Sequence, residues 1–211
     1  MSSAYQRIVQ HYESCLRRHG EGPAAVDWKS TEDAAIRYDV MLGVIRSAEQ
    51  RSVLLDFGCG LANLKDHMDV RKMGQVDYIG LDLSPDFVAA ARARHPGVPF
   101  FCMDAMLSDN VIPEADYTVM NGVFTRRHDL SFDEMQVYMA ALLARIFAHC
   151  RVGLAFNVMS KCVDWESESL FHVCPGELAK MICNSLSKHF VIRNDYGLYE
   201  TTCYVYRDPI G

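Results

Sequence analysis

The sequence contains no apolar run approaching the roughly 20 residues that span a bilayer, so no membrane-crossing helix is expected. Its opening residues, with Tyr5, Arg7 and His11, lack the apolar core of a secretory leader, which makes the cytoplasm the expected location. Basic residues are also short: 21 Lys and Arg against 27 Asp and Glu leave a formal charge of −6 over 211 residues. A sequence-independent grip on nucleic acid needs a basic face that displaces counterions, so the expected partner is a small molecule instead. The eight cysteines include no Cys-x-x-Cys pair, and their irregular spacing suggests neither a disulfide framework nor a metal site. Repeats and low-complexity tails, which would advertise a partner surface, are missing as well. Hydrophobic residues make up 50%, enough for one unit with a substantial core.

What the chain does have is organised around Val53-Leu-Leu-Asp-Phe-Gly-Cys-Gly-Leu-Ala62. Val53 to Leu55 read as a strand buried on both faces, and Gly58 and Gly60 remove side chains that would keep a ligand from the backbone. A dinucleotide fingerprint would need a third glycine, but position 63 is Asn. Asp56, two residues before the first glycine, would repel a pyrophosphate and attract an ammonium. S-adenosylmethionine is a nucleoside that carries such an ammonium.

The motif Asp56-Phe-Gly-Cys-Gly60 resembles the first motif of the class I S-adenosylmethionine-dependent methyltransferases, and later segments follow in that family's order. The resemblance covers residues 50–207 and implies a Rossmann-like α/β fold: a seven-stranded, mostly parallel sheet with an antiparallel last strand and helices on both faces. Apolar runs place the strands after Val53 at 75–82, 98–102, 116–121, 152–157, 190–192 and 202–206. Helices are expected over 4–19, 31–48, from the glycine turn to about 73, and over 84–95, 131–149 and 175–188. In the family the N-terminal helices commonly cap the cofactor. Residues 1–48 are therefore expected to form a helical cap on a methyltransferase domain at 49–211, with ordinary packing as the competing explanation.

The family pattern implies cofactor contacts from Asp56, Phe57, Gly58, Cys59 and Gly60 at the turn. Asp82 and Leu83 follow at the second strand, about 20 residues on, where an acid can accept from both ribose hydroxyls. Asp104 is expected to bind the adenine amino group, with Ala105 and Met106 beside the ring, and Asn121, Gly122 and Val123 lie where the methyl would be presented. Methyltransferases of exocyclic base amines or glutamine amides usually carry an Asn/Asp-Pro-Pro-aromatic motif there; Asn121-Gly-Val-Phe124 has no such prolines, which favours an oxygen acceptor.

His128, in the loop after the fourth strand, could take a hydroxyl proton with its near-neutral pKa, oriented by Asp129. His172, Glu200 and Asp195 stand behind it as candidate bases. A helix-start loop with solvated charges is the competing reading of this stretch. Candidate substrate contacts are Asp27, Trp28 and Arg37 from the cap, Phe124 and Arg126 near the fourth strand, Trp165 in a long connection, and Asp195, Tyr196 and Tyr199 in the last hairpin.

The reading is an S-adenosylmethionine-dependent O-methyltransferase of a small-molecule or sugar acceptor, releasing S-adenosylhomocysteine, monomeric or homodimeric, without metal, nucleic acid or membrane. N- or C-methylation of a natural-product intermediate, a protein or RNA acceptor, a nicotinamide oxidoreductase and a catalytically silent binding partner are the alternatives.

Overall fold

The computed structural model describes residues 13, 14, 18, 30–47, 49–127 and 130–210. Among these, helix α1 (Thr31–Leu42) begins where the Ser30 side chain accepts from the Asp33 backbone N–H at 3.0 Å. The chain then alternates through β1 (Ser52–Phe57), α2 (Asn63–Val70), β2 (Val76–Asp82), α3 (Pro85–Arg94), β3 (Phe100–Cys102) and β4 (Ala115–Phe124). It continues with α4 (Phe132–Ala148), β5 (Cys150–Ser160), the two-residue β6 (His172–Val173), α5 (Pro175–Ser185), β7 (His189–Arg193) and β8 (Glu200–Tyr206).

The strands order as β3-β2-β1-β4-β5-β8-β7, with β6 paired to β5 off this path. All pairings are parallel except those of β8, which runs antiparallel to β5 and β7. This is the expected mostly parallel sheet with an antiparallel last strand, plus one short strand inside the connection after β5. Leu54 and Leu55 show how the two layers arise: adjacent strand residues point to opposite faces. Leu54 packs with Tyr38 and Met41 of α1, Leu64 and Met68 of α2 and Val88 of α3. Leu55 packs with Met135, Met139 and Leu142 of α4 and Leu178 and Ile182 of α5.

Several boundaries differ from expectation: β4 runs on to Phe124 rather than ending at Asn121, and two others differ for identifiable reasons. Helix α1 stops at Leu42 rather than near 48, because the chain turns at Gly43 to pass under β8. A Cβ on Gly43 would stand 2.6 Å from Tyr204 Oη, and that hydroxyl donates to Val40 O at the helix end, while Tyr206 Oη donates to Val44 O at 3.2 Å. β5 runs three residues past Asn157 because Val158 and Met159 pair with Thr201 and Glu200 of β8, and Met159 and Ser160 pair with β6. Of the helix expected over 4–19, only residues 13, 14 and 18 are described. No helix among the described residues is long and apolar enough to cross a membrane.

Candidate functional site

The carboxyl ends of the parallel strands open onto a cavity of about 490 Å³, within the roughly 300–1,000 Å³ typical of small-ligand sites. The turn after β1 forms its floor. Gly58 and Gly60 adopt φ of +76° and +52°, a region where a Cβ is strained, and the backbone N–H groups of Gly58 and Cys59 donate to Leu81 O at 2.8 and 3.1 Å. The turn is thereby stitched to the end of β2.

Two acids converge here. Asp56 is 3% exposed and accepts from Tyr78 Oη at 2.7 Å. Burial pushes its carboxyl up to about 7, opposed by the Tyr78 bond and reinforced by the nearby charge of Asp82. Asp82 accepts from the backbone N–H groups of Gly60 at 2.8 Å and Ser84 at 2.9 Å, and burial raises its carboxyl pKa against backbone bonds from Ser84, Gly60 and Leu83. A carboxylate offers about four lone-pair positions, so accepting capacity remains for a ligand's hydroxyl. Ser84 also caps α3 through Phe87 N and donates to Glu13 at 2.7 Å. Asp104 accepts from Met106 N at 2.8 Å, which curls the chain after β3 around the cavity wall.

All thirteen residues expected at the cofactor line this one cavity, from the glycine turn through Leu83, Asp104, Ala105 and Met106 to Asn121, Gly122 and Val123. Arg37, Arg126, Trp165 and Tyr199 line it too; Trp165 and Tyr199 are 66% and 63% exposed and form part of its rim. Thr125 O accepts from Phe171 N at 2.9 Å and Arg127 N donates to Ser169 O at 3.1 Å, so the loop after β4 and the segment before β6 form one wall.

Other expected contacts lie elsewhere. Phe124 is fully buried against Tyr138 and Phe156 in the core, because β4 continues through it after an irregularity at Gly122 and turns its ring away from the cavity. Asp195 is exposed and pairs with Arg193 at 2.9 Å, and Tyr196 bonds Thr202 at 2.8 Å; only the second half of the hairpin tip, Gly197 to Glu200, faces the cavity. His172 lines the cavity with both ring nitrogens committed. Nε2 accepts from Ser167 N at 3.2 Å, so the proton sits on Nδ1, which donates to Ser160 O at 2.7 Å. With its lone pair taken by an amide, His172 fastens a loop and is not poised as a base. Glu200 is similarly engaged: Arg37 holds Oε1 at 2.6–2.7 Å and Asn157 Nδ2 donates to Oε2 at 2.7 Å. Asp27, Trp28, His128 and Asp129 lie outside the described residues.

Asn157 is the residue that sequence reasoning missed. Its Oδ1 accepts from Gly122 N at 2.7 Å, tying the end of β4 to Glu200. Its signal was a polar residue closing the apolar run Val152-Gly-Leu-Ala-Phe156, at the strand end where ligands collect.

The arrangement fits a sulfonium nucleoside: an open glycine backbone, one acid for a cationic end, one for a ribose and a third at the far wall. No family model matches the chain. A Mycobacterium tuberculosis protein provisionally named a methyltransferase is 32% identical over 167 residues, which is 77% of this chain and 96% of that protein. Magnesium protoporphyrin IX methyltransferase from Synechocystis, solved with S-adenosylhomocysteine, matches with a TM-score of 0.61 at 15% identity over 96% of this chain and 100% of that one. An amino pentose methyltransferase from Micromonospora echinaspora, solved with S-adenosylmethionine, gives 0.56 at 16% identity over 94% and 97% of the two chains. With its glycine turn, sheet order and relative in agreement, the chain belongs to the class I S-adenosylmethionine-dependent methyltransferases.

Proposed function

We propose that this methyltransferase modifies an oxygen of a small-molecule or sugar acceptor by in-line displacement. The observation that carries the reading is the single cavity into which both the cofactor residues and an acceptor wall project. Asp56 is assigned the ammonium, Asp82 the ribose hydroxyls and Asp104 the adenine amino group. Bound S-adenosylmethionine supplies an electrophilic methyl on a sulfonium, so the protein's task is alignment. Holding nucleophile and methyl about 3–3.5 Å apart can supply several kcal/mol without a base.

Arg37, its charge matched by Glu200, and Arg126 line the acceptor side of the cavity, and Trp165 and Tyr199 offer flat faces on which a sugar or aromatic ring can rest. That one fold neighbour acts on an amino pentose agrees with an acceptor of this kind. α1 contributes Asp33, Arg37 and Tyr38 to the cavity and serves in this reading as part of a cap. His128 is the proposed base, on the loop whose neighbours Thr125 and Arg126 line the cavity. Incubation with methyl-labelled S-adenosylmethionine and a panel of sugar nucleotides and hydroxylated aromatics, read by mass spectrometry, tests the reading. It predicts label in a small acceptor, and label confined to protein or RNA overturns it.

A further inference from the structure

α1 descends one face of the sheet beside the cavity. Arg37 meets Glu200 at the start of β8, and Val40 O accepts from Tyr204 further along the same strand. The first turn of the helix therefore stands above the strand tips, and it carries Asp33, a half-buried residue of the cavity wall. The helix start makes no use of this carboxylate, since the cap is Ser30 Oγ accepting from Asp33 N at 3.0 Å. Arg37 lies one turn on, at a spacing where an ion pair can form, but its Nε and Nη2 both turn to Glu200. The Asp33 carboxylate is left with no hydrogen-bond or ion-pair partner among the described residues. It also stands apart from the cofactor acids: the neighbours that act on the Asp56 carboxyl are Tyr78 and Asp82, not Asp33.

Charge across the cavity has the same sign. Among the described residues its lining carries five carboxyl groups and two arginines, and one of those arginines is matched by Glu200. S-adenosylmethionine, with a sulfonium, an ammonium and a carboxylate, adds one positive charge, so with its carboxyls ionised the loaded site stays negative. Such a site attracts cations and repels phosphates and carboxylates. The rim points the same way, because exposed Trp165 and Tyr199 present ring faces whose quadrupole attracts a cation. Resting on the methyltransferase reading above, we propose that Asp33 sets the specificity of this site by pairing with a protonated amine of the acceptor, whose hydroxyl oxygen takes the methyl. A protonated amine has no lone pair and cannot compete with that oxygen. The oxygen–carbon bond forms as the carbon–sulfur bond breaks, the sulfur keeps the bonding pair, and the hydroxyl proton passes to a base or to solvent. A phosphorylated or nucleotide-linked acceptor meets repulsion from the same carboxylate.

The test is a matched panel at neutral pH: glucosamine, glucose and glucuronate on one skeleton, and tyramine, para-ethylphenol and para-hydroxyphenylpropionate on another. Each set runs from ammonium through neutral to carboxylate. Binding to the protein saturated with S-adenosylhomocysteine is read by ligand-observed NMR, and turnover with methyl-labelled S-adenosylmethionine by mass spectrometry. In at least one set the ammonium member is expected to bind about tenfold or more tighter than the neutral one, with the carboxylate weakest and any methyl on oxygen. Asp33→Asn, equal in size and uncharged, should erase that preference with S-adenosylhomocysteine affinity within threefold, and Asp33→Glu, which keeps the charge, should retain it. A preference for the neutral or carboxylate members, no preference in either set, a preference that survives Asp33→Asn, or methyl on the amine nitrogen overturns the inference and leaves the methyltransferase reading standing. Absence of any S-adenosylhomocysteine binding by the wild type overturns both.

Discussion

Tyr78 on β2 donates its phenolic hydrogen to Asp56 Oδ2 on the adjacent strand β1 at 2.7 Å, and both side chains are buried. The bond fixes the carboxylate at the mouth of the glycine turn before any ligand arrives, so binding need not order it. It also offsets part of the burial that disfavours the charge.

This relationship predicts a pH dependence. The folded-state pKa of Asp56, about 7, lies above the ordinary 3.8, so between those values the folded protein binds more protons than the unfolded chain. Its contribution to the stability of the ligand-free protein is therefore full below about pH 4 and is lost as pH rises through 7. An ammonium favours the ionised carboxylate, so affinity for S-adenosylhomocysteine should rise over the same range, by at most about tenfold per pH unit for this group. Calorimetry in buffers of different ionisation enthalpy should detect a released proton, and Asp56→Asn should shrink that release. Affinity that stays flat from pH 5 to 8 would contradict the assignment.

Asp82→Ala removes the acceptor of two backbone N–H groups as well as the assigned ribose contact. Hydrogen bonds to charged groups contribute about 1.5–3 kcal/mol each, so S-adenosylhomocysteine affinity should fall by at least about 100-fold. An affinity change below threefold would show that the acid does not face the ligand.

The Arg37–Glu200 pair makes a prediction about stability. The two side chains are 15% and 4% exposed, so removing either leaves a buried charge uncompensated, at a cost of about 3–5 kcal/mol. Replacing both, as in Arg37→Met with Glu200→Leu, should cost less than the sum of the single changes and can approach neutrality in folding. Denaturant unfolding of the four proteins in the cycle measures the coupling. Simple additivity would mean that the pair is solvated.

His172→Ala should cost about 1–3 kcal/mol of stability, since it leaves Ser167 N and Ser160 O without their partner. The pH profile of kcat/KM should keep its shape, because this imidazole has no free lone pair with which to accept a proton. A lost acidic limb would make it a base after all.

The sheet was legible because its strands are short apolar runs, the first two ended by Gly58 and Asp82, each a residue type with a reason to sit at a strand tip. The short β6 was not, since its two residues become a strand only by pairing with Met159 and Ser160. That the residues assigned to the cofactor line one cavity was readable because they fall in consecutive stretches along the chain. The Arg37–Glu200 pair on the same cavity joins residues distant in sequence, and no spacing reveals that they meet. Phe124 was misplaced for a related reason: the register of β4 against β5 shifts between Met120 and Phe124, and no sequence spacing gives that shift.

The central claim is that a sulfonium nucleoside binds between Asp56 and Asp82. Titration of the purified protein with S-adenosylhomocysteine by calorimetry should give one site per chain, weakened at least 100-fold in Asp82→Ala, with no heat from NAD. Binding of NAD with no heat from S-adenosylhomocysteine would contradict the account.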